Sequence, residues 1–137
     1  MKKARYLLET GVLIRHLRDS RDAVRLVRTL GEAERLAVAT VTRLEVHAGM
    51  LPKESYKTQK LLSRFITYDL DADIADRAGD YVRECRAEGT TLSVPDAIIA
   101  ATATRHRLTL VTFNPKHFPI PGLSLFPLES TESPHLG

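Results

Sequence analysis

Short apolar runs of strand length alternate with segments of helical periodicity along almost the whole chain. The runs lie at residues 4–8, 36–39, 66–68 and 108–112, and a fifth at residues 123–126 follows a turn that contains proline and glycine. Between them, apolar residues recur every three or four positions, as on one face of a helix. Strands that alternate with helices form a parallel sheet covered by helices on both faces. The sequence therefore predicts an α/β fold, a three-layer sandwich with a central, mainly parallel sheet of about four or five strands.

Capping residues mark the ends of several predicted helices. Thr10 is placed to cap the first helix, Asp71 a long helix after the third strand, and Ser93 the alanine-rich helix that follows. Side-chain oxygens of this kind accept hydrogen bonds from the free amides of a first turn. Gly89 is expected to end the long helix, because glycine readily adopts the left-handed conformation found there. Helices then begin close to the carboxyl ends of strands, which is where α/β folds bind their ligands.

A helix predicted at residues 56–65 carries Leu61, Leu62 and Phe65. These side chains need an apolar partner surface, either within the chain or across a two-fold axis. The pattern therefore leaves open whether this helix packs on the domain's own core or in a homodimer interface.

Composition limits the class of protein. The 137 residues suffice for one domain, predicted at residues 1–128, with a polar tail at residues 129–137 that is expected to be flexible. Cys85 is the only cysteine, which excludes an internal disulfide. No apolar run approaches the roughly 18 residues of a membrane span, and we expect a cytoplasmic protein. The net charge of +3 is compatible with nucleic-acid binding, although many other proteins are as basic.

Three acidic residues lie at predicted junctions of strands and helices. Glu9 directly follows the first strand, Glu45 lies in the helix after the second, and Asp96 lies in the first turn of the helix before the fourth. Carboxylates brought to one edge of the sheet repel each other unless a cation or a proton joins them. Because hard oxygen ligands suit Mg²⁺ or Mn²⁺, we predict a metal site formed by all three. Each has a simpler interpretation too: a solvated strand-end charge, an exposed helix acid, or an acid that complements a helix dipole.

Four segments resemble the motifs of the PIN-domain family, in the family's order, and cover nearly the whole chain. They are residues 6–14, 40–49, 94–103 and 110–118, and residues 121–123 are similar to the run before the family's last strand. The family's glutamate and its third-motif aspartate match Glu45 and Asp96. Its opening aspartate stands where this chain has Glu9.

The resemblance implies a PIN-like fold and, at this size, the toxin of a VapBC-type toxin–antitoxin pair. Such VapC-type toxins are endoribonucleases that depend on Mg²⁺ or Mn²⁺, so the resemblance implies an RNA substrate and one of these ions as cofactor. They usually form homodimers, and they bind a cognate antitoxin whose tail blocks the active site. Homodimerisation and an antitoxin partner are therefore expected here.

Two departures from the family pattern concern the catalytic residues. Glu9 has one methylene more than the usual aspartate, which adds about 1.5 Å of reach, and a misplacement of about 1 Å can reduce a rate on the order of a hundredfold. The fourth motif has Asn114 and His117 at the two positions where the family usually carries an aspartate. Asn114 is able to coordinate through its carbonyl oxygen, and His117 through a ring nitrogen that would favour Mn²⁺. These departures support an alternative function, a catalytically impaired PIN-like module that binds protein or RNA.

Basic residues flank the predicted site, and Arg15, Arg43 and Lys116 are candidate RNA contacts. An ordinary solvated basic face explains them equally well. A metal-free nuclease would need two converging histidines, and only His117 lies near the site. A phosphoacceptor receiver domain is disfavoured, because the chain lacks an early pair of acids.

Overall fold

The computed structural model describes residues 3–128 and confirms the predicted alternation of strands and helices. Two single-turn 3-10 helices lie at Pro52–Glu54 and Pro115–His117. In chain order, the strands and α-helices are β1 (Ala4–Leu8), α1 (Thr10–Leu17), α2 (Arg21–Ala33), β2 (Arg35–Ala39), α3 (Thr40–Gly49), α4 (Ser55–Leu62), β3 (Ile66–Tyr68), α5 (Ala72–Ala87), α6 (Val94–Arg105) and β4 (Thr109–Val111). The tail predicted at residues 129–137 lies outside the described residues.

The strands form one parallel sheet in the order β3-β2-β1-β4. The fifth apolar run, at residues 123–126, does not become a strand of this sheet and makes an isolated parallel bridge between Leu125 and Leu110. The pairing stops there because the chain turns at Pro127, where the Leu128 amide donates to the Phe126 carbonyl at 2.8 Å. The sheet therefore has four strands, within the predicted range of four or five.

Both faces of the sheet are covered by helices, because successive strand residues point to opposite sides. Leu8 and Val38 are fully buried against apolar side chains of α1, α2, α3 and α4. Leu7 and Ala37, one position earlier, are fully buried on the other face, against α6. The three layers match the predicted sandwich. None of the helices within residues 3–128 has the length and hydropathy needed to span a bilayer.

Helix α6 is buried on two sides, which agrees with its alanine-rich sequence. Ala100 and Ala103 belong to the cluster that packs on the sheet. Ala97 and Ala101 belong to a separate cluster formed with α5 and the loop that follows it. Small side chains let α6 approach both neighbours closely, and this helix carries Asp96 in its first turn.

The predicted caps are correct at two helices and wrong at one. Asp71 accepts a hydrogen bond from the Ile74 amide at 2.9 Å, and Ser93 accepts one from the Asp96 amide at 3.2 Å. Gly89, with φ of +83°, follows α5 as predicted. The cap of α1 is Glu9 rather than Thr10. Thr10 is already the first helical residue, and the longer glutamate side chain folds back to accept from the Gly11 amide.

The apolar side chains of the α4 region are used within the chain. Leu61 and Leu62 are 4% and 1% exposed, and Phe65 is 9% exposed. All three belong to the cluster between the sheet and helices α1–α4. They therefore cannot supply a homodimer interface, and that prediction needs another surface.

Candidate active site

Glu9 lies between β1 and α1, and its carboxylate is held at both oxygens. The Gly11 amide donates to Oε2 at 2.9 Å, and the Thr112 hydroxyl donates to Oε1 at 2.9 Å. Thr112 follows β4, the strand next to β1, so the two residues meet at the carboxyl edge of the sheet. Glu9 is only 9% exposed. A buried carboxylate that accepts two hydrogen bonds excludes the interpretation of Glu9 as a solvated strand-end charge.

Gly11 leaves room for this glutamate. A Cβ atom at position 11 would lie 3.1 Å from Glu9 Oε1 and 3.3 Å from Oε2. Both distances are shorter than an ordinary carbon–oxygen contact, so a side chain there would push against the carboxylate. The longer residue at position 9 thus coincides with the absence of a side chain at position 11.

The electrostatic environment of Glu9 links the three predicted acids. Burial raises the pKa of its carboxyl, whereas the hydrogen bonds from Gly11 and Thr112 lower it. The charges of Asp96 and Glu45 raise it further, and the net shift is upward. Such a charge effect acts only over a short distance, so Glu9, Glu45 and Asp96 lie in one region of the structure.

Glu45 is held by a chain of hydroxyl groups. The Thr10 hydroxyl donates to Glu45 Oε1 at 2.6 Å. It also lies 3.0 Å from the hydroxyl of Thr42, which is buried. Since the single proton of Thr10 is directed to the carboxylate, Thr42 is the donor of the second bond. Helices α1 and α3 are therefore tied together directly beside the acid.

Asp96 is half-buried in the first turn of α6. Within residues 3–128, its carboxylate has neither a hydrogen-bond donor nor a salt-bridge partner, in contrast to Glu9 and Glu45. A half-buried carboxylate without a donor is free to accept a ligand.

The donor set suits a hard cation in charge and chemistry, because all three side chains end in carboxylate oxygens. Their convergence is incomplete: in the part of the chain that is described, no group of three His, Cys, Asp or Glu side chains is close enough to hold one ion. Mg²⁺ usually keeps several waters and binds one or two carboxylates directly. The residues present therefore fit a hydrated ion held by part of the set, and not a closed three-carboxylate cage.

The fourth motif contributes to the candidate active site through the side chain of Thr112. The side chains of Asn114 and His117 are exposed, and His117 ends the short 3-10 helix Pro115–His117. Asn114 takes part only through its backbone amide, which donates to the Thr112 hydroxyl oxygen at 2.9 Å. The Thr112 hydroxyl thus receives one bond and gives one to Glu9. Neither predicted substitute for the missing aspartate contacts the acids.

The predicted RNA contacts differ in their surroundings. The guanidinium of Arg15 lies over the ring of Phe113, 4.4 Å from its centre, and remains exposed. Arg43 is half-buried and donates to the Thr67 hydroxyl at 3.3 Å. Lys116 is exposed. Arg15 and Lys116 are accessible to a ligand, whereas Arg43 already uses part of its guanidinium in a hydrogen bond within the protein.

Sequence reasoning overlooked the hydroxyl groups and the glycine that hold the acids. A signal was present for each. Thr10 and Gly11 directly follow Glu9, and Thr42 lies three residues before Glu45, on the same side of a helix. Thr112 ends the last strand-forming run, at the edge where the acids were expected. Hydroxyl residues beside acids at strand ends are therefore candidates for positioning roles.

Comparison with known proteins identifies the family of this chain. The family model for the PIN domain matches residues 6–121. The chain is 36% identical over 117 residues to Ribonuclease VapC10 of Mycobacterium tuberculosis, covering 83% of this chain and 86% of that protein. A solved toxin–antitoxin complex from Klebsiella pneumoniae contains a chain with 34% identity and a TM-score of 0.70, covering 88% and 95% of the two chains. VapBC2 of Rickettsia felis, bound to a DNA fragment from its promoter, matches in fold with a TM-score of 0.76, 23% identity and coverage of 88% and 96%. The chain therefore belongs to the PIN-domain family and groups with its VapC members.

Proposed function

We propose that this protein is a metal-dependent endoribonuclease and the toxin of a VapBC-type toxin–antitoxin pair. The observation that supports this most strongly is the buried carboxylate of Glu9, which lies in the field of Asp96 and Glu45. Burying charge near like charge is unfavourable for folding, so such a cluster is typical of a site that binds a cation. The related VapC10 is named a ribonuclease, which supports RNA as the substrate class.

The three acids have different parts in this proposal. Asp96, which has no donor of its own, and Glu9 and Glu45, which keep free lone pairs, would hold Mg²⁺ or Mn²⁺. When bound, a divalent ion of this kind lowers the pKa of a coordinated water and offsets charge on a phosphodiester. Thr112 and Gly11 fix the carboxylate of Glu9, and Thr10 fixes that of Glu45. The hydroxyl contacts therefore orient the acids before substrate arrives.

An antitoxin segment has a suitable place to bind beside Glu45. A depression between α1, α3 and α4 is lined mainly by apolar groups, including Ile14, Leu17 and Val46, with Glu45 among the lining residues. The hydroxyl of Thr58, also in the lining, is buried without a hydrogen-bond partner among the described residues. The depression has a volume of about 40 Å³, so an antitoxin segment would lie across it and place at most a small side chain inside. A segment lying here would block access to Glu45.

Homodimerisation also belongs to the proposal, on a surface other than the one first considered. Leu44 and Tyr56 are 65% and 77% exposed, and Leu51, between them in sequence, is 53% exposed. A contiguous patch of exposed apolar side chains is typical of a surface that contacts another protein. They replace the buried α4 side chains as the candidate interface.

The decisive experiment is an RNA-cleavage assay with the full chain, purified free of antitoxin. Structured RNA is incubated with Mg²⁺, Mn²⁺ or EDTA, for the parent and for two variants of equal charge change. Glu9→Gln removes a predicted ligand, whereas Glu84→Gln alters an exposed acid on α5. We expect cleavage that EDTA abolishes, that Glu9→Gln reduces at least about a hundredfold, and that Glu84→Gln leaves unchanged.

Undiminished cleavage in EDTA would refute the metal mechanism. A folded parent that binds RNA but cleaves none with either ion would instead favour the alternative of a binding module. Two observations support this alternative. The three acids do not converge fully, and Asn114 and His117 are exposed.

A further inference from the structure

Five exposed arginines line two surface depressions that share Arg28. The first depression lies along α2, and the second extends from the end of α2 to the start of β2 and to the turn before β3. We refer to these residues together as the arginine band, which consists of Arg21, Arg25, Arg28, Arg35 and Arg64.

The charge of the arginine band is largely uncompensated. None of the five guanidinium groups has a carboxylate within 4.0 Å in the described part of the chain, whereas arginines elsewhere, such as Arg83, do. Two of the three acids that line the same depressions are engaged by other bases: Asp19 by Lys57 at 3.4 Å and Glu34 by Arg5 at 3.7 Å. Glu32 in the lining and Asp22 in the first turn of α2 are left to offset five arginines.

This arrangement is unfavourable for the isolated fold. Arg21 and Arg25 are four residues apart on α2, and Arg25 and Arg28 three apart, so like charges are neighbours on one helix face. Like-charged neighbours at these spacings destabilise a helix, and Asp22, three residues before Arg25, and Glu32, four residues after Arg28, offset part of that effect. A bound polyanion would remove that repulsion, which gives the band a physical reason to attract one.

The chemistry of the band favours phosphate over an acidic peptide. The large apolar side chains that are exposed in residues 3–128 are Leu44, Leu51, Tyr56, Leu70 and Val94, none of which lines either depression. Protein interfaces combine arginine with apolar or aromatic side chains at a buried centre, and neither depression offers such an exposed side chain. Guanidinium groups, in contrast, bind phosphate oxygens through paired hydrogen bonds without such anchors. A second copy of the chain is also disfavoured, because two such bands would repel each other.

The band ends at the edge of the sheet opposite the acids. Arg35 begins β2 and Arg64 lies just before β3, whereas Glu9 follows β1. In a parallel sheet these positions mark the amino and the carboxyl edge. A five-residue strand is about 16 Å long, so the far end of the band cannot contact the phosphate that lies at the acids.

We infer that the arginine band is a second RNA-binding surface, which contacts the phosphate backbone of a long or folded RNA while another part of that RNA lies at the acids. The inference rests on the proposed function for the identity of the polyanion. The arginine band increases the affinity for extended substrates and takes no part in the chemical step.

The test compares two charge-matched double variants of the full chain, free of antitoxin. Arg25→Gln with Arg28→Gln removes two band residues, and Arg83→Gln with Arg86→Gln removes two exposed arginines of α5. Binding is measured in EDTA by fluorescence anisotropy, with a labelled trinucleotide and with a labelled hairpin of about 30 nucleotides. Measuring binding without metal separates it from cleavage.

Each phosphate contact contributes about 0.7 to the salt slope of binding for a single strand and about 0.9 for a duplex. Loss of two contacts should therefore lower the hairpin slope by about 1.4–1.8 and weaken hairpin binding on the order of 25- to 60-fold at about 0.1 M salt. Trinucleotide binding should not change, and the α5 pair should bind both RNAs like the parent. Equal weakening by the two pairs, or unchanged hairpin binding by the band pair, would overturn the inference.

The outcomes also separate this inference from the proposed function. If the parent cleaves RNA and the band pair binds the hairpin like the parent, the inference fails and the function stands. If the parent binds the hairpin through the band but never cleaves it, the function fails and the inference stands. If the parent binds no RNA, both are wrong.

Discussion

The close approach of Gly11 to Glu9 predicts a strong energetic coupling between these two positions. Replacing Gly11 with alanine should favour α1, since glycine in a helix is less stable than alanine by about 0.5–1 kcal/mol. The new Cβ, however, would lie 3.1 Å from Glu9 Oε1 and 3.3 Å from Oε2. The carboxylate would have to shift by a few tenths of an ångström, and both of its oxygens are already held at 2.9 Å.

The size of the effect follows from those two hydrogen bonds. Bonds to a charged group contribute about 1.5–3 kcal/mol each, so distorting the pair should cost about 1–2 kcal/mol. Gly11→Ala should thus leave the parent unchanged or destabilise it by up to about 1.5 kcal/mol. In a Glu9→Ala background the obstacle is gone, and the same substitution should stabilise the protein by about 0.5–1 kcal/mol.

A double-mutant cycle measures this coupling. The free energies of unfolding of the parent, both single variants and the double variant are obtained from urea titrations followed by circular dichroism, in EDTA near neutral pH. Glu9→Asp is a second background if Glu9→Ala does not fold. A coupling below about 0.5 kcal/mol, the range of ordinary additivity, would refute the argument that Gly11 makes room for the glutamate.

Three further predictions concern pH, positioning and assembly. The raised pKa of Glu9 means that its protonated form favours the fold, so metal-free parent should lose stability as pH rises from below the unfolded carboxyl value, 4.5, through the raised folded value. Glu9→Gln should not show this loss and should be the more stable protein at neutral pH. The urea midpoints of both proteins, measured across this pH range, test the prediction. Midpoints that change with pH in the same way for both proteins would contradict it. Thr112→Val should lower kcat about tenfold or more with less effect on KM, because the Glu9 carboxylate loses one of its two donors. Steady-state RNA cleavage tests this, and Thr112→Ser should restore activity; failure to restore it would point to a purely structural role. Light scattering at micromolar concentration should give twice the chain mass of 15.3 kDa; a 15.3 kDa species would exclude the dimer under those conditions.

The strands and helices were predictable because their signals are local. Periodicity identified the strand runs, and Asp71, Ser93 and Gly89 end or begin helices where their side chains or backbone preferences indicate. The cap of α1 was not predictable in this way. Glutamate is an unusual capping residue, and Glu9 caps only because it folds back between Gly11 and a strand more than a hundred residues away.

The proximity of the three acids was predictable from the sequence, whereas their hydrogen-bond partners were not, and their role as metal ligands stays a prediction. Topology alone placed Glu9, Glu45 and Asp96 at one edge, and the pKa of Glu9 responds to both of the others. The threonine contacts depend on the register between β1 and β4 and on the packing of α1 against α3. The predicted substitutes for the fourth acid remained plausible in sequence because only three-dimensional placement shows that Asn114 and His117 face solvent.

The isolated bridge at Leu125 has a consequence for how the protein behaves at high concentration. β4 is an outer strand of the sheet, and an uncovered outer strand offers unpaired amides and carbonyls to other molecules. Here the Leu110 amide donates to the Ser124 carbonyl at 2.9 Å, and the Phe126 amide donates to the Leu110 carbonyl at 2.8 Å. The segment after the last strand thus shields this edge from self-association, so a chain shortened before residue 123 would expose a template for aggregation even though every strand of the sheet would still be present.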